Sequence, residues 1–132
     1  MAKKILIVDD SSVVRRLIRS SIEEHTNWSV CGEAENGREA IQVAEELFSE
    51  AVIIDLSMPI MNGLDAARII KNTLPKTKII LFSNHGSIFS EREARSAGLS
   101  AVVSKAQNVS ELLGKTREVI YPAVLEPLTM SV

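Results

Sequence analysis

The sequence predicts one α/β domain, a parallel five-stranded sheet with helices on both faces. Short β-branched or aliphatic runs alternate with longer amphipathic stretches, the pattern left by repeated βα units. Five such units fit in the 132 residues. A chain of this length buries roughly two thirds of its unfolded surface, which is enough for one core. Residues 1–120 are expected to form the domain, and 121–132 an irregular tail carrying Pro122 and Pro127.

The first strand is Ile5-Leu6-Ile7-Val8, followed by a helix from Ser12 to His25. On that helix Val13, Val14, Leu17, Ile18 and Ile22 are expected to share one face, and His25 is read as a helix-terminal residue rather than a ligand. The second strand runs from Trp28, which fills space at its entry, to Gly32. Asn36 with Glu39 then forms a variant of the capping box, and Ala40, Ile41, Ala44, Leu47 and Phe48 are expected against the sheet. The third strand, Ala51-Val52-Ile53-Ile54, is apolar without alternation and so belongs at the sheet centre, covered on both sides.

A loop from Leu56 to Gly63, packed by Met58 and Met61, precedes a helix through Asn72 that Leu74-Pro75 closes. The fourth strand is Lys78 to Phe82. A polar loop, Ser83 to Gly86, leads to a helix from Ser87 to Ala97, with Gly98 at its left-handed end. Ala101-Val102-Val103 is a short fifth strand. Asn108 and Glu111 repeat the cap, and the last helix is expected to turn Leu112, Leu113, Thr116, Val119 and Ile120 inward.

The formal charge of -2 gives no global basic field, so neither direct nucleic-acid binding nor attraction to anionic lipid is expected. After Met1-Ala2-Lys3-Lys4 the apolar run is too short for a signal peptide or a membrane span, which points to the cytoplasm. A single cysteine, Cys31, excludes an intrachain disulfide and suits a reducing compartment; it is read as a buried strand residue.

Right-handed crossovers place every strand C-terminus on the same edge of the sheet. Along that edge stand Asp9 and Asp10, then Asp55, then Ser83, then Lys105, each just past a strand end. Ligands of open α/β sheets bind at this rim, where the strand order reverses. Of two plausible orders, the flavodoxin-like 2-1-3-4-5 makes strands one and three neighbours and brings Asp10 against Asp55. The order 3-2-1-4-5 would separate them.

Crowded carboxylates are relieved by protonation or by a hard cation. Magnesium fits, with manganese as the alternative, because it takes oxygen ligands and commonly uses one or two carboxylates plus a phosphate. Asp10 and Asp55 are the expected ligands, the carbonyl of Ser57 a third oxygen, and Asp9 an outer residue that orients Asp10 or a metal-bound water. A carboxylate can accept a phosphoryl group if charge on the equatorial oxygens is neutralised. Lys105, and Ser83 with nearby loop N–H groups, suit that task.

These residues are where the chain resembles the response-regulator receiver domains of two-component signalling, over about residues 3–120. The resemblance rests on Ile5 to Asp10, on the highly specific stretch Asp55-Leu-Ser-Met-Pro59-Ile-Met-Asn-Gly63, on Ser83, and on Ala97-Gly98 followed by Lys105. It implies that Asp55 receives phosphoryl from a histidine kinase or phosphotransfer protein, that Asp9 and Asp10 serve the metal, and that Ser83 and Lys105 contact the phosphoryl group. It also implies a switch in which a strand-five aromatic turns inward. Here Val102 occupies that place, and Ala106 follows Lys105 where the family has a cis-proline. A cis bond is not expected there, because without proline it costs about 3 kcal/mol. Ser57 and His85 lie two positions after Asp55 and Ser83 and are candidates for tuning dephosphorylation.

The leading reading is a phosphoacceptor switch, not otherwise an enzyme, that signals through a downstream protein and admits a homodimer. Alternatives are the receiver fragment of a longer DNA-binding regulator, an interaction module without phosphorylation-dependent output, and a metal-dependent phosphatase. The last commonly carries a second Asp at the place of Ser57 and ranks lowest.

Overall fold

The computed structural model describes residues 2–84 and 90–121. Ten elements alternate along it: β1 (Lys4–Val8), α1 (Ser12–His25), β2 (Ser29–Ala34), α2 (Gly37–Leu47), β3 (Ala51–Ile54), α3 (Gly63–Thr73), β4 (Lys78–Ser83), α4 (Glu91–Ser96), β5 (Ala101–Ser104) and α5 (Val109–Ile120). The strands are all parallel, in the expected order β2-β1-β3-β4-β5.

Successive strand residues point to opposite faces, and the core divides accordingly. Leu6, Val8, Val52, Ile54, Ile79 and Leu81 pack against the alanines and Ile70 of α2, α3 and α4. Ile5, Ile7, Ile53, Ile80 and Phe82 pack against Ile18 and Ile22 of α1 and Leu112 and Leu113 of α5. Every residue of β3 is buried, as its unbroken apolar run requires. Met58 and Met61 pack against the first of these clusters, and Trp28 is buried in the second.

The helix caps follow the sequence closely. Asn36, Asn62 and Asn108 each accept the backbone N–H of the acidic residue three positions on, satisfying a donor that the first turn leaves free. Glu39 returns its carboxylate to the N–H of Glu35 rather than to that of Asn36, which is the variation on the reciprocal box. Gly98 has φ +87°, the left-handed conformation expected of it.

Several expectations need correction. Val13 and Leu17 are 69% and 52% exposed, while Ile18 and Ile22 are fully buried and Val14 is half-buried. One residue is 100° around a helix, so the Val13–Leu17 pair forms a stripe beside the core-facing one rather than within it. Phe48 is the left-handed end residue of α2, at φ 49°, and the turn sends its side chain into solvent. Cys31 is half-buried, with its sulfur 3.3 Å from Ser49 Oγ. Strands β2, β4 and β5 run one or two residues further than their apolar runs. Helix α4 has Ser90 as its N-cap, in a full capping box with Glu93, and the expected start at Ser87 lies outside the described residues. His85 and the tail beyond Tyr121 lie outside the described residues.

Candidate functional site

Parallel pairing carries the chain past two strand ends into one place. Asp9 follows β1 with its N–H donating to the carbonyl of Ala34 in β2 at 3.1 Å. Asp55 follows β3 with its N–H donating to the carbonyl of Val8 at 2.9 Å. Asp9, Asp10 and Asp55 each place a carboxylate oxygen within 4.8 Å of the others. Asp9 and Asp55 are only 2% and 7% exposed, so their charges sit largely out of water, whereas Asp10 is exposed.

Lys105 closes the cluster from the far side. Its backbone N–H donates to the carbonyl of Ser83 at 3.1 Å, fixing the end of β5 against β4. Its Nζ lies 2.8 Å from Asp9 Oδ2 and 3.5 Å from Asp55 Oδ2. The other oxygen of Asp9 accepts the N–H of Ser11, and that of Asp55 accepts the N–H of Leu56, both at 2.9 Å. Both carboxylates are thereby held in orientation.

The charge balance shows in the proton affinities. Burial, and then the charge of Asp9, push the Asp55 carboxyl above the usual carboxylate range, outweighing the pull of Lys105 and the Leu56 N–H. Burial acts downward on Lys105, but its hydrogen bond to Asp9 and the charges of both aspartates hold it above the usual lysine value. One ammonium thus faces three carboxylates. An all-oxygen donor set with net negative charge and one wet edge at Asp10 fits a magnesium ion, which keeps several waters.

The loop after Asp55 is shaped by contact as well as by sequence. A Cβ on Gly63 would lie 2.0 Å from the carbonyl oxygen of Asp55, so only glycine lets the start of α3 come back against the strand end. The Gly63 N–H donates to Leu56 O at 2.8 Å, and the Gly37 N–H of α2 donates to Met61 O at 2.9 Å. Between them Ile60 sits at φ 70° in a tight turn closed by the Met61 N–H on Pro59 O at 2.7 Å. A β-branched residue rarely adopts that conformation.

Of the other expected site residues, Ser83 is fully buried at the end of β4, pairing with Ser104 beside Lys105. Ser57 is exposed on the loop after Asp55. Val102 is half-buried and packs on the α2, α3 and α4 side of the sheet, where it lines a groove of about 400 Å³ between α4 and α5. The Ala106 N–H donates to Ser104 Oγ at 3.1 Å, a bond that proline could not make. No peptide bond among the described residues is cis.

Sequence reasoning missed Arg15 and Glu33. Arg15 donates from Nη1 to the carbonyl of Asp9 at 2.6 Å and from Nε to Glu33 Oε1 at 2.8 Å. Arg19 donates to the other Glu33 oxygen at 2.8 Å. Burial favours a higher Glu33 pKa, but the two guanidinium groups together hold it below the usual carboxylate value. Only the β1 to β2 register, which sets Glu33 beside Ile7, reveals that these residues meet.

Comparison with known proteins gives a consistent answer. The family model described as the response regulator receiver domain matches residues 5–117. The chain is 39% identical over 105 residues to the chemotaxis protein CheY of Thermotoga maritima, covering 80% of this chain and 87% of that protein. It is 31% identical over 136 residues to a protein-glutamate methylesterase/protein-glutamine glutaminase of Idiomarina loihiensis, covering 98% of this chain. The chain spans only 35% of that relative's length. Among solved structures, the response regulator domain of Thermotoga maritima CheB superposes with a TM-score of 0.84 at 27% identity, covering 94% of this chain and all of that one. With the family model matched over residues 5–117 and the strand order of the receiver fold, the chain belongs to the response-regulator receiver domains of two-component signalling.

Proposed function

We propose that the chain is a phosphoacceptor switch in which Asp55 takes a phosphoryl group from a histidine kinase or a phosphotransfer protein. The observation that carries this reading is the position of Lys105 Nζ, 2.8 Å from Asp9 and 3.5 Å from Asp55, inside a cluster of three carboxylates. In the transfer, the bond from phosphorus to the donor histidine breaks as a bond to an Asp55 oxygen forms, and the imidazole leaves with the electron pair. Asp55 must react as the anion, and Lys105 stabilises that form in its buried setting. The Leu56 N–H and the Lys105 ammonium fix its two oxygens, so the nucleophile is oriented before the donor arrives.

Asp10 and Asp55, with the Ser57 carbonyl, would hold the magnesium ion, and Asp9 would act from outside its coordination shell. When bound, the ion supplies positive charge to the phosphoryl oxygens. Lys105 supplies charge to a second oxygen, and Ser83 with loop N–H groups a hydrogen bond to a third. Ser57 and His85 are proposed to tune hydrolysis of the acyl phosphate. Output passes to a downstream protein without an aromatic flip, since Val102 has no ring to turn.

The test is incubation with a small acyl phosphate and magnesium, followed by intact mass measurement. The expected result is one phosphoryl adduct that Asp55→Ala abolishes; an adduct that survives that substitution contradicts the assignment. The short span relative to the methylesterase relative favours a second reading, in which this is the receiver portion of a longer regulator. Both readings share the Asp55 chemistry and differ in where the output lies.

A further inference from the structure

We infer that Arg15 is a positioning residue for the acidic pair, acting through the peptide unit that joins Asp9 to Asp10; this rests on the magnesium-dependent reading of the site. The carbonyl that Arg15 Nη1 grips at 2.6 Å belongs to the Asp9–Asp10 peptide plane. That unit is rigid and planar, so fixing its oxygen fixes the direction in which Asp10 leaves the strand. The Asp9 N–H bond to Ala34 and the carboxylate bond to Lys105 lie on the near side of the Asp9 Cα, and the Ser11 N–H on Asp9 Oδ1 closes an Asx turn across the same peptide without touching its oxygen. The Arg15 bond is the one that holds that carbonyl oxygen directly.

Arg15 is itself held. Its Nε donates to Glu33 on β2, and Arg19 braces the opposite oxygen of the same carboxylate at 2.8 Å. A guanidinium can make both bonds at once because its donors form a rigid fork, whereas a lysine ammonium on a flexible stem has no such fixed geometry. The chain Arg19, Glu33, Arg15, Asp9 carbonyl therefore ties the first turns of α1 and the end of β2 to the one peptide that aims the exposed ligand. Asp10 needs such support because it is exposed at the wet edge of the cluster.

The test compares Arg15→Met, Arg15→Lys and Arg19→Met by titration calorimetry with magnesium alone, and by the residual dipolar coupling of the Asp10 N–H in metal-free protein. Loss of an outer residue that orients a ligand weakens metal binding about tenfold or more, and Arg15→Met is expected to do so while shifting the Asp10 coupling. Arg15→Lys is expected to recover part of both effects. Arg19→Met breaks the brace but not the grip on the carbonyl, and a half-exposed ion pair of that kind is expected to move the affinity by less than about threefold. Arg15→Met binding magnesium as wild type does would overturn the proposal. If wild type itself binds no magnesium, the functional reading falls and the coupling decides alone: shifted, it supports the strap, and unchanged, it overturns it.

Discussion

Strand β3 and the residue that follows it lie in two opposite energetic regimes a single step of chain apart. From Ala51 to Ile54 every side chain is apolar and buried, so burial itself stabilises the fold. At Asp55 the chain is still buried, yet burial now works against the charged form. The sheet interior holds the fold together, and the rim one residue beyond it holds charges that the fold would rather expose. A protein keeps such a rim where chemistry needs it.

The sharpest way to probe the first half of this contrast is Ile53→Ala. Ile53 is 1% exposed, and truncating it should cost about 2–5 kcal/mol of unfolding free energy in urea titrations, with magnesium making no difference to the loss. A loss of only a few tenths would mean that the β3 interior is not the well-packed centre described above.

Next in size is Lys105→Met, which leaves Asp9 and Asp55 facing each other without their shared cation. Removing one partner of a charge-assisted pair that retains some access to water should cost about 2 kcal/mol at neutral pH. Because the folded-state pKa of Lys105 is raised, its contribution is complete below the ordinary lysine value and fades as pH rises through the raised one. Stability measured against pH should therefore lose its alkaline decline in this variant.

A smaller effect separates Glu33 from Asp55 by sign. Glu33 is depressed in the folded state, so it stabilises above the ordinary carboxylate range and loses that contribution as pH falls through its lowered value. Asp55 is raised, so stability falls as pH climbs from the ordinary carboxylate value through the raised one. Acid titrations of Glu33→Gln and Asp55→Asn should lose limbs of opposite slope. Smallest of all, Val13→Ser and Leu17→Ser should each change stability by less than about 0.5 kcal/mol, as expected of exposed positions.

That last pair marks where the sequence was readable and where it was not. The strands and the caps at Asn36 and Asn108 were legible because each depends on neighbours within a few positions. The rim was legible too, since right-handed crossovers turn sequence order into spatial order and carry Asp10, Asp55, Ser83 and Lys105 to one edge. Which apolar stripe of α1 faces the sheet depends on the helix's rotation, and Val13 and Leu17 give as good a period as Val14 and Ile18. Phe48 looked like a core residue until the left-handed turn at its own position carried it outward. Arg15 and Glu33 were invisible because no local pattern links a helix residue to the end of the next strand; only the register between β1 and β2 does.

The central claim is that the buried carboxylates at the β1 and β3 ends form a charge deficit that a hard cation relieves. It is tested most directly by measuring unfolding free energy against magnesium concentration for wild type and Asp55→Asn. Wild type should gain stability as mass action requires, about 2.7 kcal/mol at a hundredfold excess over the dissociation constant. Asp55→Asn should start more stable in metal-free buffer and gain little. A wild type indifferent to magnesium, together with an Asp55→Asn variant less stable than it, would contradict the account.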